Sequence, residues 1–152
     1  MKKVTLFMFI TLFTSMVFAG RAIELQKKAV TKANISAWVS KVKDKGKKFD
    51  FTFHLKNKGE KFVIVMLHDI TCYRGKKGGV VKHTFFNTGE RTIDLMPNQL
   101  KKFKMLCKIG EKSQGKYKIV VKSIYSNPSR DGKHTGKEVA KNLTWVYDPD
   151  KQ

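Results

Sequence analysis

Apolar and polar positions alternate along most of the chain after residue 34, and Gly, Asn and Pro interrupt the alternation at short intervals. A period of two marks a strand with one face in a core and the other in water. The clearest case is Phe49-Asp50-Phe51-Thr52-Phe53-His54-Leu55, where four apolar side chains face one way and Asp50, Thr52 and His54 face the other. Ile35 to Val42 reads as a strand with Ile35, Ala37 and Val39 on one side and Trp38 and Val42 on the other. Phe62 to Leu67 is continuously apolar, as a central strand covered on both faces would be. Val80–Phe86, Arg91–Leu95, Phe103–Ile109, Tyr117–Tyr125 and Val139–Tyr147 continue the pattern, and Ile23, Leu25 and Val30 predict a frayed first strand. Turns are expected at Asp44-Lys45-Gly46, Asn57-Lys58-Gly59, Asn87-Thr88-Gly89 and Met96-Pro97-Asn98-Gln99, since Pro97 cannot serve a central strand. Arg74–Gly79, Gly110–Gly115 and Asn127–Gly136 read as loops. About seven to nine short strands at this spacing predict an all-β sandwich or barrel, with no repeat and no linker to divide it. The expected core is Phe49, Phe51, Phe53, Leu55, Ile64, Met105, Ile119, Leu143 and Trp145.

The first nineteen residues follow another rule. Lys2 and Lys3 precede an apolar run from Val4 to Phe18, broken only by Thr5, Thr11, Thr14 and Ser15, and Val17-Phe18-Ala19 offers a small-residue exit before Gly20. This is the layout of a secretory signal, and the run is shorter than the roughly 20 residues a membrane-spanning helix needs. The expectation is a signal peptide over 1–19 and a mature domain over 20–152, exported to the periplasm or secreted. No Cys follows the cleavage site, which argues against a lipid anchor.

Charge narrows the partners. The chain carries a formal +20, and losing Lys2 and Lys3 leaves +18. Such a charge concentrates anions and speeds encounter with acidic partners: nucleic acid, anionic lipid, lipopolysaccharide or acidic wall polymer. Of its 32 basic residues only Arg21, Arg74, Arg91 and Arg130 are Arg. Lysine dominance also fits a merely solvated surface, because specific carboxylate and phosphate clamps favour the planar Arg fork.

Candidate chemistry is sparse. Cys72 and Cys107, the two cysteines, read as one disulfide in an exported chain, and without Cys-x-x-Cys there is no thioredoxin-like motif. None of His54, His68, His83 and His134 has His-x-x-x-His spacing. A copper site from His68, Met105 and Cys107 is a remote alternative, because the usual single loop of Cys, His and Met is missing and a disulfide would consume the thiol. No cofactor is expected. Asp50 and Asp94 occupy ordinary outward strand positions, no Gly-x-Ser-x-Gly is present, and Gly75-Lys76-Lys77-Gly78-Gly79 lacks the Gly-Lys-Ser/Thr ending of a phosphate loop. That stretch reads as a flexible hairpin loop whose backbone, Lys76 and Lys77 could receive an anion.

The sharpest binding expectation concerns Phe103 to Tyr125. Folded as a hairpin about Gly110–Gly115, it would set Lys108 opposite Lys118 and Lys104 opposite Lys122, and no acidic residue lies between Lys101 and Ile109. Like charges across a ladder are destabilising, so such a row predicts a basic platform of Lys102, Lys104, Lys108, Lys118 and Lys122 for an anionic polymer or membrane surface. A lysine-rich surface that discourages aggregation explains it equally well. Tyr73 is the one candidate exposed ring, so nucleic acid is not favoured over other polyanions. The function expected is therefore non-catalytic: a binding or structural module. A protein-interaction module, such as an inhibitor or an accessory subunit of an envelope complex, is the alternative.

Strand, Leu55-Lys56-Asn57-Lys58-Gly59, strand, loop, strand, Leu95-Met96-Pro97-Asn98, alternating strand resembles bacterial extracytoplasmic immunoglobulin-like domains. In those, an Asn-x-Gly turn is often followed by a Leu-x-Pro-Gly-type corner; here Asn98 stands in the place of Gly. The resemblance covers about half the mature chain and rests on turn residues. It implies an immunoglobulin-like β-sandwich and carries over no functional residue.

Overall fold

The computed structural model describes residues 22–25, 29–83, 92–126 and 136–151. The expected signal peptide, the Asn87-Thr88-Gly89 turn and most of the 127–136 loop lie outside these residues, as does His134.

The chain is all-β. Its strands are β1 (Ala22–Glu24), β2 (Val30–Lys32), β3 (Ile35–Asp44), β4 (Lys48–Asn57), β5 (Val63–Met66), β6 (Ile70–Arg74), β7 (Lys77–His83), β8 (Thr92–Leu95), β9 (Leu100–Lys108), β10 (Tyr117–Ser126) and β11 (Glu138–Tyr147). All pair antiparallel in one open hydrogen-bonded network of order β1-β3-β4-β9-β7-β6-β10-β5-β8, with β2 also on β3 and β11 also on β10.

β7 joins two arms of this network. Its first residues, Lys77 to Gly79, pair with β6. Its later ones, Val80 to His83, pair with β9. Strands flanking a common neighbour in a flat sheet would lie about 9.5 Å apart. Cys72 on β6 and Cys107 on β9 are instead disulfide-bonded with Cα atoms 6.0 Å apart, so the network folds sharply at β7. Gly79 makes that fold possible: a Cβ there would sit 2.8 Å from Cys107 Sγ. The arms then share one core, where Phe49 of β4 meets Tyr117 of β10 edge-on at 5.0 Å between ring centroids.

The expected core residues are all buried, but Ile64 is not part of the shared cluster. On β5, Val63 and Val65 face the core, and Ile64 lies between them on the opposite side. Val42 needs a second correction. A bulge at Ser40 shifts the β3 register between Val39 and Lys41, so Val42 joins Val39 in the core; Trp38 is buried in the same cluster. One extra residue in a strand resets the alternation beyond it, and no simple period reveals that.

The turn residues behave as their chemistry requires. Asn57 is buried; its Nδ2 donates to the carbonyls of Lys61 and Leu95, and its Oδ1 accepts from Gly59 N–H. Asn98 takes the left-handed φ of +59°, where Gly would be usual.

A side-chain tie crosses the arms near the ends of β3, β6 and β10. Tyr117 Oη donates to Asp44 Oδ2 at 2.6 Å, and Arg74 Nη2 lies 3.1 Å from the same oxygen. The Arg74 guanidinium stacks over the Tyr117 ring at 3.8 Å and also donates to the Gly115 carbonyl. Burial, together with the Asp44 hydrogen bond, pushes the Tyr117 hydroxyl well above its ordinary range.

Candidate functional site: a lysine-rich outer face

β9 is central to its arm and does not pair with β10. It lies between β4 and β7, whereas β10 lies among β5, β6 and β11. The expected Lys108–Lys118 and Lys104–Lys122 oppositions therefore do not occur. The Gly110–Gly115 loop is not a hairpin turn; it carries the chain from one arm to the other. Because both arms turn inward on one core, Lys102, Lys104 and Lys108 point away from the side that bears Lys118 and Lys122. The sequence cannot show this, since a hairpin and an arm-to-arm crossing leave the same two alternating runs.

The face outside β3, β4 and β9 is nevertheless cationic, with different neighbours. Lys48 of β4 stands directly opposite Lys108. Lys102 is opposite His54, and Lys104 opposite Thr52. Beyond β4, Lys41 faces Thr52 and Lys43 faces Asp50. Lys82 of β7 extends the face past Leu106. Asp50 is held by Lys45 at 2.5 Å, and no ion pair among the described side chains engages Lys48, Lys102 or Lys108. Sequence reasoning named the β9 lysines but missed Lys41, Lys43 and Lys48, because they belong to strands it did not know were adjacent.

Two features give this face relief. Trp38 and His54 stack in parallel, 4.8 Å between centroids, with Ser40 Oγ 2.8 Å from His54 Nε2. Next to them lies a groove of about 360 Å³ lined by Lys41, Lys43, Lys104, Thr52 and Asp50. A larger cleft, about 640 Å³, lies between Asn34, Asn57 and Val139, and lysines and glutamates mix along its wall.

On the other side, Lys118, Lys141 and Lys116 have local partners. The Lys118 ammonium sits 4.3 Å from the Tyr73 ring centroid, so the ring expected to be exposed is covered by a lysine. Lys141 hydrogen-bonds Glu138, which holds that carboxyl below its ordinary range and the ammonium above its own. Lys116 pairs with Asp148 at 3.2 Å.

Lys76 and Lys77 do not form a flexible loop. Gly75 and Lys76 make a two-residue turn between the paired Arg74 and Lys77, packed so tightly that a Cβ on Gly75 would strike the Gln114 carbonyl. Lys77 pairs with Glu111 at 2.7 Å. The copper candidates are likewise not assembled: Cys107 is in the disulfide, Met105 is fully buried, and His68 is exposed on a short 3-10 turn. Among the described residues no three His, Cys, Asp or Glu side chains gather.

These features define the class: an all-β chain, disulfide-linked across its fold, with a lysine-rich outer face. Among solved structures it is similar to a "putative lipoprotein (ycdA)" of Bacillus subtilis, with TM-score 0.56 and 12% identity over 84% of this chain and 40% of that one. It is also similar to the yjhA protein of Bacillus subtilis, with TM-score 0.52 and 12% identity over 82% of this chain and 97% of that one. The chain thus spans about two-fifths of the first protein and nearly all of the second. No family model and no curated protein matches it. At this identity the likeness concerns the fold alone.

Proposed function

We propose that the chain is an exported, non-catalytic docking module that binds an anionic surface or polymer through the face formed by β3, β4 and β9. The observation that carries this reading is the placement of Lys48 directly against Lys108, with Lys102, Lys104, Lys41 and Lys43 on the same face. Apposed ammonium groups repel, and an anionic ligand relieves that repulsion as it binds. Export is supported by the amino-terminal pattern and by the disulfide, since disulfides persist mainly outside the cytoplasm. The fold-back at β7 and the shared core favour an immunoglobulin-like sandwich within the all-β class.

Retention on immobilised heparin tests the reading. The mature protein is expected to be retained and to elute with a steep dependence on salt. The triple variant Lys102→Glu, Lys104→Glu, Lys108→Glu should lose most of that retention, with the salt slope reduced by roughly one for each contact removed. The double variant Lys118→Glu, Lys122→Glu should elute close to the unaltered protein. Equal losses in both variants would mean that net charge alone governs retention, and the docking face would have to be abandoned.

A further inference from the structure

Large apolar side chains left exposed are few among the described residues: Val80, Leu100, Val146 and Met96, at 64%, 51%, 42% and 37%. The two most exposed, Val80 and Leu100, share the outer face of the β9 lysines. Val80 of β7 stands directly opposite Lys108, and Lys108 stands opposite Lys48 of β4, so the three side chains form one row across the sheet. Lys82 lies two residues along β7 on the same side. At the far end of β9, Leu100 stands opposite Lys56, with Lys102 next on that side of the strand. β9 runs for 9 residues, so Leu100 and the Val80 row lie roughly 27 Å apart. Two carboxylates belong to the neighbouring strands: Asp50 is held by Lys45, and Glu24 stands opposite Lys41 in the β1 register. Lys48, Lys82, Lys102 and Lys108 have no ion pair among the described side chains.

A soluble polyanion engages ammonium groups and gains nothing from an exposed valine or leucine. A bilayer containing anionic lipid engages both: its surface potential draws lysines to the headgroups, and its interface takes up apolar side chains that reach it. Long lysine stems can lean aside and keep their ammonium groups at headgroup level while a shorter apolar side chain enters. We propose that the outer face of β4, β7 and β9 lies against an anionic lipid bilayer, with Val80 and Leu100 entering the interface and Lys48, Lys82, Lys102 and Lys108 among the headgroups. This assignment rests on the docking reading above and narrows its partner from any polyanion to a lipid surface.

The test compares the mature protein on immobilised heparin and in sedimentation with vesicles, either phosphatidylcholine alone or phosphatidylglycerol in phosphatidylcholine. The protein should sediment with the mixed vesicles and not with phosphatidylcholine alone. Val80→Ser with Leu100→Ser keeps every charge; it should weaken binding to the mixed vesicles about tenfold and leave heparin elution where it was. Val146→Ser, outside β11 and opposite Lys118, should change neither. Lys48→Gln with Lys108→Gln should weaken both, by about fivefold for each lysine at the vesicle surface. Val80→Trp should tighten vesicle binding severalfold, because indole favours the membrane interface, and a misfolded variant would show no such gain. If heparin retains the protein and mixed vesicles do not bind it, the partner is a soluble polyanion, and the membrane assignment falls while the docking reading stands. The same holds if neither the double serine variant nor Val80→Trp moves vesicle binding by more than about twofold. Failure to bind either heparin or mixed vesicles would remove both readings together.

Discussion

On the outside of β10 and β11, lysines have found partners close by: Lys118 rests on Tyr73 and Lys141 holds Glu138. On the outside of β4 and β9 they stand beside one another, with Lys48 against Lys108 and Lys41 and Lys104 flanking Thr52. The same residue type is spent on internal structure in one arm and left to face outward as a group in the other. Total charge cannot reveal this. What distinguishes the two sides is the neighbour a lysine meets: Tyr73 and Glu138 on one, and on the other Lys108 directly across from Lys48.

That comparison depends on the arms staying folded back on one another at β7. The disulfide between Cys72 and Cys107, 35 residues apart in sequence, closes the bend. Cys72→Ala with Cys107→Ala is expected to lower stability by about 3–4 kcal/mol, mainly through the freedom restored to the unfolded chain. Guanidinium denaturation measures it. A loss below about 1 kcal/mol would show that the shared core alone locks the arms and that the disulfide is incidental.

Much of the fold was legible because side-chain alternation needs no tertiary knowledge. Phe49, Phe51, Phe53 and Leu55 declared their strand and their inward face, and all four are buried. The Asn-x-Gly turn and the Pro corner declared themselves through backbone chemistry that is equally local. What was not legible is which strands adjoin. β9 and β10 are successive in sequence, and successive strands usually pair, but here a disulfide and a bare Gly79 divert β7 between β6 and β9. The expected row of lysines is therefore split: Lys102, Lys104 and Lys108 share one outer face, Lys118 and Lys122 lie on the other side, and the company of Lys41, Lys43 and Lys48 was invisible until the neighbours of β4 were known. The Ser40 bulge hid Val42 for a related reason, because one inserted residue inverts every later assignment.

A smaller effect probes the tie between the arms. Tyr117 donates to Asp44 while Arg74 pairs with the same carboxylate. Tyr117→Phe should cost about 1.5–3 kcal/mol, as expected for a hydrogen bond to a charged acceptor. It should also alter the pH profile. The hydroxyl is raised above its value in the unfolded chain, first by burial and then by the Asp44 hydrogen bond. The folded state therefore holds that proton more tightly. The stabilisation is fully present below the ordinary tyrosine value near 10 and is lost progressively as the pH rises above it. Thermal melts of the unaltered protein should fall off above about pH 10, and the part owed to this residue should vanish in Tyr117→Phe.

The smallest expected effect bears most directly on the contrast between the faces. Lys48 and Lys108 are directly opposed across β4 and β9, and neither has an ion pair among the described side chains. Directly opposed like charges destabilise a ladder, whereas opposite charges contribute roughly 0.2–1 kcal/mol relative to a neutral pair. Lys48→Glu converts one into the other at an exposed position, so it should raise stability by a few tenths of a kcal/mol, up to about 1 kcal/mol at low salt. The same substitution removes a cation from the proposed docking face and should move heparin elution to lower salt. A surface that merely keeps the protein soluble would show the first change with little of the second. A surface shaped for an anionic ligand shows both, because the repulsion that weakens the isolated fold is the repulsion a bound anion relieves. If Lys48→Glu stabilises the protein and leaves elution unchanged, the lysines outside β4 and β9 are no different in kind from those outside β10 and β11.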